Sequence, residues 1–217
     1  MKYNLNRKKD VLGPHNTDIL SVFFGSLLGD AFGETRLHKS RILFQQEKNH
    51  QEYFYWLHFF LASRGYCNPE KPRLVTRIGK NHKKRYLLRC RTYSFGNLNW
   101  LVDLFYSTGK KVVPKKESLD LFLTPLAIAV WVCDDGSRSG KGFKFCTNSF
   151  SKEEIKLLCE VLHKKYDVKG RPNKTGFFKK TGEIQYCLYI QQESMAVLIG
   201  LVKPFIVQSM YYKLGVS

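Results

Sequence analysis

The chain has 217 residues, 43% of them hydrophobic and 14% aromatic, enough to bury a substantial core and too apolar for a disordered chain. Thirty-six lysines and arginines stand against 18 acidic residues, and the resulting charge of +18 points to a polyanion, nucleic acid first and an anionic membrane surface second. The six cysteines are scattered without a CxxC pair, the six histidines fall into no ligand spacing, and no apolar run reaches membrane-spanning length, so neither disulfides, a zinc site nor a membrane span is expected.

In chain order, residues 1–19 read as a polar, basic lead with a turn at Gly13-Pro14 and no apolar core of a secretory signal. Phe23 to Leu28 then form an apolar helical run that ends on Gly29, Asp30 and Ala31. Arg36 to Gln46 reads as a hairpin, with Ile42 and Phe44 facing one side and Arg41, Leu43 and Gln45 the other. Residues 49–64 follow as an amphipathic helix with Tyr53, Trp56, Leu57, Phe60 and Leu61 on its core stripe.

From Lys71 to Val102 there is no Asp or Glu. Two strands fit this segment. In one, Arg73, Val75 and Arg77 share a face; in the other, Arg85, Leu87, Arg89 and Arg91 do, with Tyr86, Leu88 and Cys90 opposite. A ribbon with arginines on one side and apolar groups on the other suits the major groove of DNA, where arginine contacts guanine edges as well as phosphates. Residues 95–107 read as a helix and residues 109–121 as a connector, and Pro125 opens the next helix, where proline is tolerated.

The second half repeats the order. Ile128 to Cys133 lead into Asp134, Asp135 and Gly136. Residues 142–148 form a strand, and residues 151–166 a helix opening on a Ser-Lys-Glu-Glu cap. Strands at 169–173 and 183–190 flank a basic, glycine-bearing turn, and a closing helix spans 194–202. Asp30 and Asp135 are 105 residues apart, Lys111 and Lys213 are 102 apart, and the two amphipathic helices also start 102 apart. These offsets predict a duplicated αββαββ unit with pseudo-twofold symmetry.

An aspartate at the C-terminus of an apolar helix opposes the macrodipole at a cost of about 0.3–1 kcal/mol. Its repetition at matching positions needs a cation or some other reason. Two carboxylates near a pseudo-twofold axis repel each other, and in a partly desolvated floor they shift their pKa or recruit divalent ions. Hard oxygen ligands suit Mg²⁺, which activates water and stabilises the leaving oxygen in attack on a phosphodiester.

Phe23 to Ala31 and Ile128 to Gly136 resemble the motifs of the LAGLIDADG homing endonucleases, in the monomeric, two-motif branch encoded by group I introns. Gly25 and Gly29 lie four apart in the first copy; the second has Val130 and Asp134 there and small residues at Ala129 and Cys133, leaving the helix contact register open. The resemblance runs from about residue 20 to the C-terminus. It implies an α+β fold of two αββαββα repeats, residues 20–111 and 123–217 joined by a linker at 112–122, forming a saddle of antiparallel sheets around two packed motif helices.

The resemblance also implies roles. Asp30 and Asp135 would be the catalytic, metal-binding carboxylates, with Asp135 preferred over Asp134 because it aligns with Asp30 and precedes the helix-ending Gly136. Gly29 and Asp134 would offer backbone carbonyls to the metal. Lys111 and Lys213 would be the basic residues of each site, and Gln46 and Asn148 the amides, with Thr147 the alternative to Asn148. Base readout would come from Arg41, Gln45, Arg73, Arg77, Arg85, Arg89 and Arg91 in the first half and Lys144, Arg171, Asn173, Gln185 and Tyr189 in the second. The dissimilar sets imply an asymmetric target.

The implied activity is site-specific hydrolysis of both strands of a long double-stranded DNA, across the minor groove and leaving 3′ overhangs. Mg²⁺ is the expected cofactor, with Mn²⁺ substituting and Ca²⁺ supporting binding without cleavage. The protein would act as a monomer without an obligate protein partner or a membrane, in a mitochondrion or another organelle. The alternatives are a maturase that binds its own intron RNA and a DNA-binding regulator that does not cut. Retained acids at positions 30 and 135 favour the nuclease, since a pure RNA binder needs none in an anion-binding floor.

Overall fold

The computed structural model describes residues 15–79, 82–178 and 181–216. Its centre is a pair of helices, α1 (Thr17–Leu28) and α5 (Pro125–Asp135). From Ile19 to Leu28 every α1 residue but Leu20 is buried, and Ala127 to Cys133 of α5 are buried as well. Helices apolar on all sides can only be core. Thr124 caps α5 by accepting the Ala127 N–H at 3.2 Å and donates its hydroxyl to Ser21 Oγ at 2.8 Å, tying the two helices together. The contact register left open by the sequence is set by glycines: a Cβ on Gly25 would lie 2.1 Å from the Ala127 carbonyl oxygen, and one on Gly29 would lie 2.5 Å from Asp134 Cβ.

Each central helix leads into a hairpin. β1 (Phe32–Arg36) and β2 (Lys39–Glu47) turn through Leu37 and His38, both at positive φ, as a two-residue type I′ turn requires. Then come α2 (Gln51–Ser63), β3 (Arg73–Ile78), β4 (Lys84–Arg91) and α3 (Asn99–Tyr106). A short linking helix, α4 (Lys116–Phe122), precedes α5. The second half supplies β5 (Gly136–Ser139), β6 (Gly142–Phe145), α6 (Lys152–Tyr166), β7 (Gly170–Phe177), β8 (Ile184–Ile190) and α7 (Met195–Val202). The sheets are antiparallel with matching strand orders, β1-β2-β4-β3 and β5-β6-β8-β7. This is the expected α+β architecture of two αββαββα repeats around a central helix pair.

The hairpin alternation holds: Ile42, Phe44 and Gln46 point inward, while Arg41, Leu43 and Gln45 are half-buried on the other face. Ser151 closes the expected capping box on α6, accepting the Glu154 N–H at 3.1 Å while Glu154 takes the Ser151 N–H at 2.6 Å. All six cysteines are free thiols. No described helix is long and apolar enough to cross a membrane.

Some boundaries move. α1 starts at Thr17, inside the stretch read as a lead, and residues 1–14, with the Gly13-Pro14 turn, lie outside the described residues. The connector contains α4, because fully buried Leu119 fastens it to the core and Lys165 bonds the carbonyls of Asp120 and Leu123 at 2.6 and 3.1 Å. β1 begins four residues before the expected Arg36, and β6 ends at Phe145 rather than 148. β7 runs on to Phe177 because a bulge between Lys174 and Gly176 preserves its pairing with β8.

Candidate nuclease centre and nucleic-acid face

The ends of α1 and α5 meet, and both are capped from a distance. Lys111 Nζ donates to the carbonyls of Gly29 at 2.5 Å and Ala31 at 3.3 Å. Lys213 Nζ donates to those of Cys133 and, at 3.1 Å, Asp134. Two lysines 102 residues apart thus satisfy the orphan carbonyls of matching helices and place positive charge at the negative ends of their dipoles. The cation demanded by the misplaced aspartates is present in the chain itself. The carbonyls of Gly29 and Asp134, expected to face a metal, here each take an ammonium.

Three carboxyls gather above these caps. Gln46, buried at the end of β2, donates from Nε2 to Asp30 Oδ2 at 2.8 Å and to Asp134 Oδ1 at 2.9 Å. Tyr53, fully inside α2, donates its hydroxyl to Asp134 Oδ1 at 2.9 Å, and the Asp30 N–H reaches Asp134 Oδ2 at 3.4 Å. His50 Nδ1 stands 3.3 Å from Gln46 Oε1, and Tyr212 Oη 3.0 Å from His50 Nε2.

The electrostatics follow from crowding like charges where water is scarce. Burial pushes Asp135 up to about 7, with Asp30 adding to the shift and Lys111 and Lys213 opposing it. Burial also drives Asp134 well above the carboxylate range, reinforced by Asp30 and Asp135. Asp30 presents part of its surface to solvent, yet the protein packed around its carboxyl raises its pKa too, against the pull of Gln46 and the lysines. Burial lowers Lys111, with Asp135 the strongest opposing acid, whereas Lys213 is the strongest cation acting on Asp30. Each lysine caps the motif helix of its own half and is the stronger of the two cations on the motif aspartate of the other, Lys213 on Asp30 and Lys111 on Asp135.

Asn148 is not brought to this centre. Its side-chain oxygen accepts the Thr175 hydroxyl at 3.2 Å on the surface. The hairpin registers explain why: Phe32 faces Leu43 in the first half and Ser137 faces Lys144 in the second, which makes Thr147 the counterpart of Gln46. Thr147 is buried, and its hydroxyl accepts the Leu188 N–H at 2.9 Å. Tyr53, expected only on the core stripe of α2, joins the site together with His50 and Tyr212, which no motif marks. The one available signal was the four-residue step from Gln46 to His50 across the strand end.

The sheets carry the expected polar rows. Gln45, Arg89 and Arg73 are aligned across β2, β4 and β3, and Arg85 faces Arg77. Arg89 grips Gln45 Oε1 at 2.6 and 3.2 Å, Arg85 pairs with Glu47 at 2.5 Å, and Arg41 pairs with Glu34. Although the 71–102 segment has no acid, its neighbours β1 and β2 supply two to the face. Arg73, Arg77 and Arg91 are exposed. In the second half Lys144, Tyr189 and Arg171 form one row, with the Arg171 guanidinium 5.7 Å from the Tyr189 ring. Asn173 pairs with Cys187 and Gln185 with Gly176 beside the bulge.

Residues 20–198 match the model of the LAGLIDADG DNA endonuclease family. The chain belongs to this family. It is 43% identical over 98% of its length to cytochrome b mRNA maturase bI2 of Saccharomyces cerevisiae, and it spans about half of that relative, 51%. Against the maturase bI2 of Debaryomyces hansenii it is 41% identical over 96% of its length and 79% of the relative's. The intron-encoded endonuclease ai4 of Dictyostelium discoideum is 32% identical over 73% of this chain and 98% of its own. The fold matches that of the homing endonuclease I-WcaI, solved bound to its DNA recognition sequence, with a TM-score of 0.83 at 20% identity over 100% of this chain and 94% of the other. The two chains therefore share a fold over nearly their whole lengths.

Proposed function

We propose that this protein is a site-specific DNA endonuclease that cuts both strands of a long, asymmetric duplex and leaves 3′ overhangs. The observation that carries this reading is the convergence of Asp30 and Asp135 at the ends of two lysine-capped helices, within one cluster of raised pKa. Like-charged carboxyls held in such a cluster bind protons or cations strongly, which suits Mg²⁺ or Mn²⁺. Among the described residues no three His, Cys, Asp or Glu side chains form a ready coordination set. Asp30 and Asp135 would therefore each hold an ion with water and phosphate oxygens, one aspartate serving the site of each strand. When bound, a divalent ion supplies an acidified water and neutralises charge on the departing oxygen. Lys111 and Lys213 bring fixed positive charge to the phosphate, and Gln46 orients Asp30. The dissimilar polar rows of the two sheets would read dissimilar half-sites.

The relatives named as maturases of cytochrome b mRNA, 43% and 41% identical, favour a second activity, assisting splicing of an intron RNA. They also suggest an organellar, mitochondrial setting. The test is incubation with a supercoiled plasmid carrying the uninterrupted form of the gene that hosts this reading frame, in Mg²⁺ and in Ca²⁺. One Mg²⁺-dependent double-strand break, lost in Asp30→Asn and Asp135→Asn proteins that still bind in Ca²⁺, is the expected result. Tight binding to this DNA with no cut in Mg²⁺ or Mn²⁺ would overturn the nuclease reading and leave intron RNA as the ligand to assay.

A further inference from the structure

β2 ends at Glu47, and a single 3₁₀ turn, Lys48–His50, carries the chain into α2. The turn swings the His50 imidazole back over the strand end, so that Nδ1 stands 3.3 Å from the Gln46 side-chain oxygen. The other ring nitrogen meets the Tyr212 hydroxyl at 3.0 Å. Tyr212 belongs to the C-terminal 3₁₀ segment Gln208–Leu214, which also carries Lys213. A chain of polar contacts therefore runs from the second half, through His50, to the amide that holds Asp30 and Asp134.

The amide of Gln46 has a right and a wrong way round. Its N–H groups face two carboxylate oxygens at 2.8 and 2.9 Å. Rotated by half a turn it would set oxygen against oxygen in a poorly hydrated place, where an unpaired polar contact is costly. A donor on the amide oxygen prevents that rotation, and His50 is placed to be this donor. The tautomer assigned by the network is Nδ1–H, donating to Gln46 while Nε2 accepts from Tyr212. Burial and the Lys213 ammonium hold the imidazole below its usual pKa, against Glu47 and Asp30, which favours this neutral form.

The second half has no such arrangement among its described residues. Thr147 stands in the place of Gln46 with its hydroxyl committed to the Leu188 N–H. Four residues on, Ser151 is spent capping α6. We propose that His50, steadied by Tyr212, is a positioning residue that fixes the Gln46 amide on Asp30, and that it thereby governs the cutting of one DNA strand and not the other. The proposal rests on the endonuclease reading.

The experiment follows the plasmid above from supercoiled to nicked to linear form, and maps the nick by primer extension. With His50→Leu, conversion of nicked to linear DNA falls about 10-fold or more, a span common for losing the partner of a site residue, while first nicking changes far less. The accumulated nicks lie in one defined strand. His50→Asn, whose amide N–H can stand where Nδ1–H stood, restores linear product, and Tyr212→Phe gives a milder form of the His50→Leu effect. Melting temperature and DNA binding in Ca²⁺ are unchanged in the variants. Equal slowing of both cuts, nicks in both strands, or His50→Asn behaving as His50→Leu would overturn the proposal while leaving the endonuclease reading intact. A wild-type protein that leaves the plasmid supercoiled overturns both.

Discussion

Gly29 and Asp134 hold equivalent places in the two halves, 105 residues apart, and they touch each other across the helix pair. The space beside Gly29 is filled by the Asp134 side chain, whose Cβ and Oδ2 would lie 2.5 and 2.7 Å from a Cβ at position 29. One half supplies the gap and the other the group that occupies it.

Gly25→Ala is therefore expected to damage folding more than Gly29→Ala. At position 25 the new methyl meets backbone, the Ala127 carbonyl, which cannot turn aside. At position 29 it meets a side chain. Overpacking of this kind costs about 1–3 kcal/mol, and Gly25→Ala should lie at or above the upper end. Chemical denaturation of both variants measures the difference, and a Gly25→Ala protein as stable as the wild type would contradict the contact.

Lys213→Met removes the cap on α5 and keeps most of the side-chain volume. Lys213 is only 6% exposed, and the carbonyls of Cys133 and Asp134 lose their donor. Stranding buried acceptors should cost about 1–3 kcal/mol. The same change removes the strongest cation acting on Asp30, so its pKa should rise further. Denaturant titration and carboxyl-resolved NMR report the two effects separately.

Asp135 gives stability a definite pH slope. Its pKa is about 7 in the folded chain and near 3.8 unperturbed, so the folded state binds the proton more tightly. That contribution is complete below about 3.8 and is lost as pH rises through 7. Without metal, Asp135→Asn should stabilise the protein at pH 8 by about 1–2 kcal/mol, less than the full shift would give because the side chain is partly solvated. It should make little difference at pH 4. Melting curves in EDTA across this range test the slope, and identical curves for variant and wild type would refute it.

Much of this centre was legible in the sequence because it is written twice. Asp30 with Asp135 and Lys111 with Lys213 announce themselves by matched offsets, and the inward step of Gln46 follows from strand alternation. Where the halves diverge, the sequence misleads. The hairpin register moves the Gln46 position to Thr147, one residue short of the expected Asn148, through a shortening that no composition reveals. Tyr53, His50 and Tyr212 matter through contacts spanning 81, 4 and 162 residues. A tyrosine on a core stripe looks the same whether or not its hydroxyl meets an acid. The capped helix ends were similarly hidden, since each lysine reaches its carbonyls from about 80 residues away.

The fit of Asp134 against Gly29 also bears on how the halves choose each other. Two copies of the second half, docked on the same axis, would press two desolvated carboxyls together at their closest point. Two copies of the first would face glycine to glycine and leave a hollow where a side chain belongs. Only the unlike pairing fills the seam with a single buried carboxyl. A chain built from two repeated halves is thus, at a single pair of positions, a union of dissimilar parts.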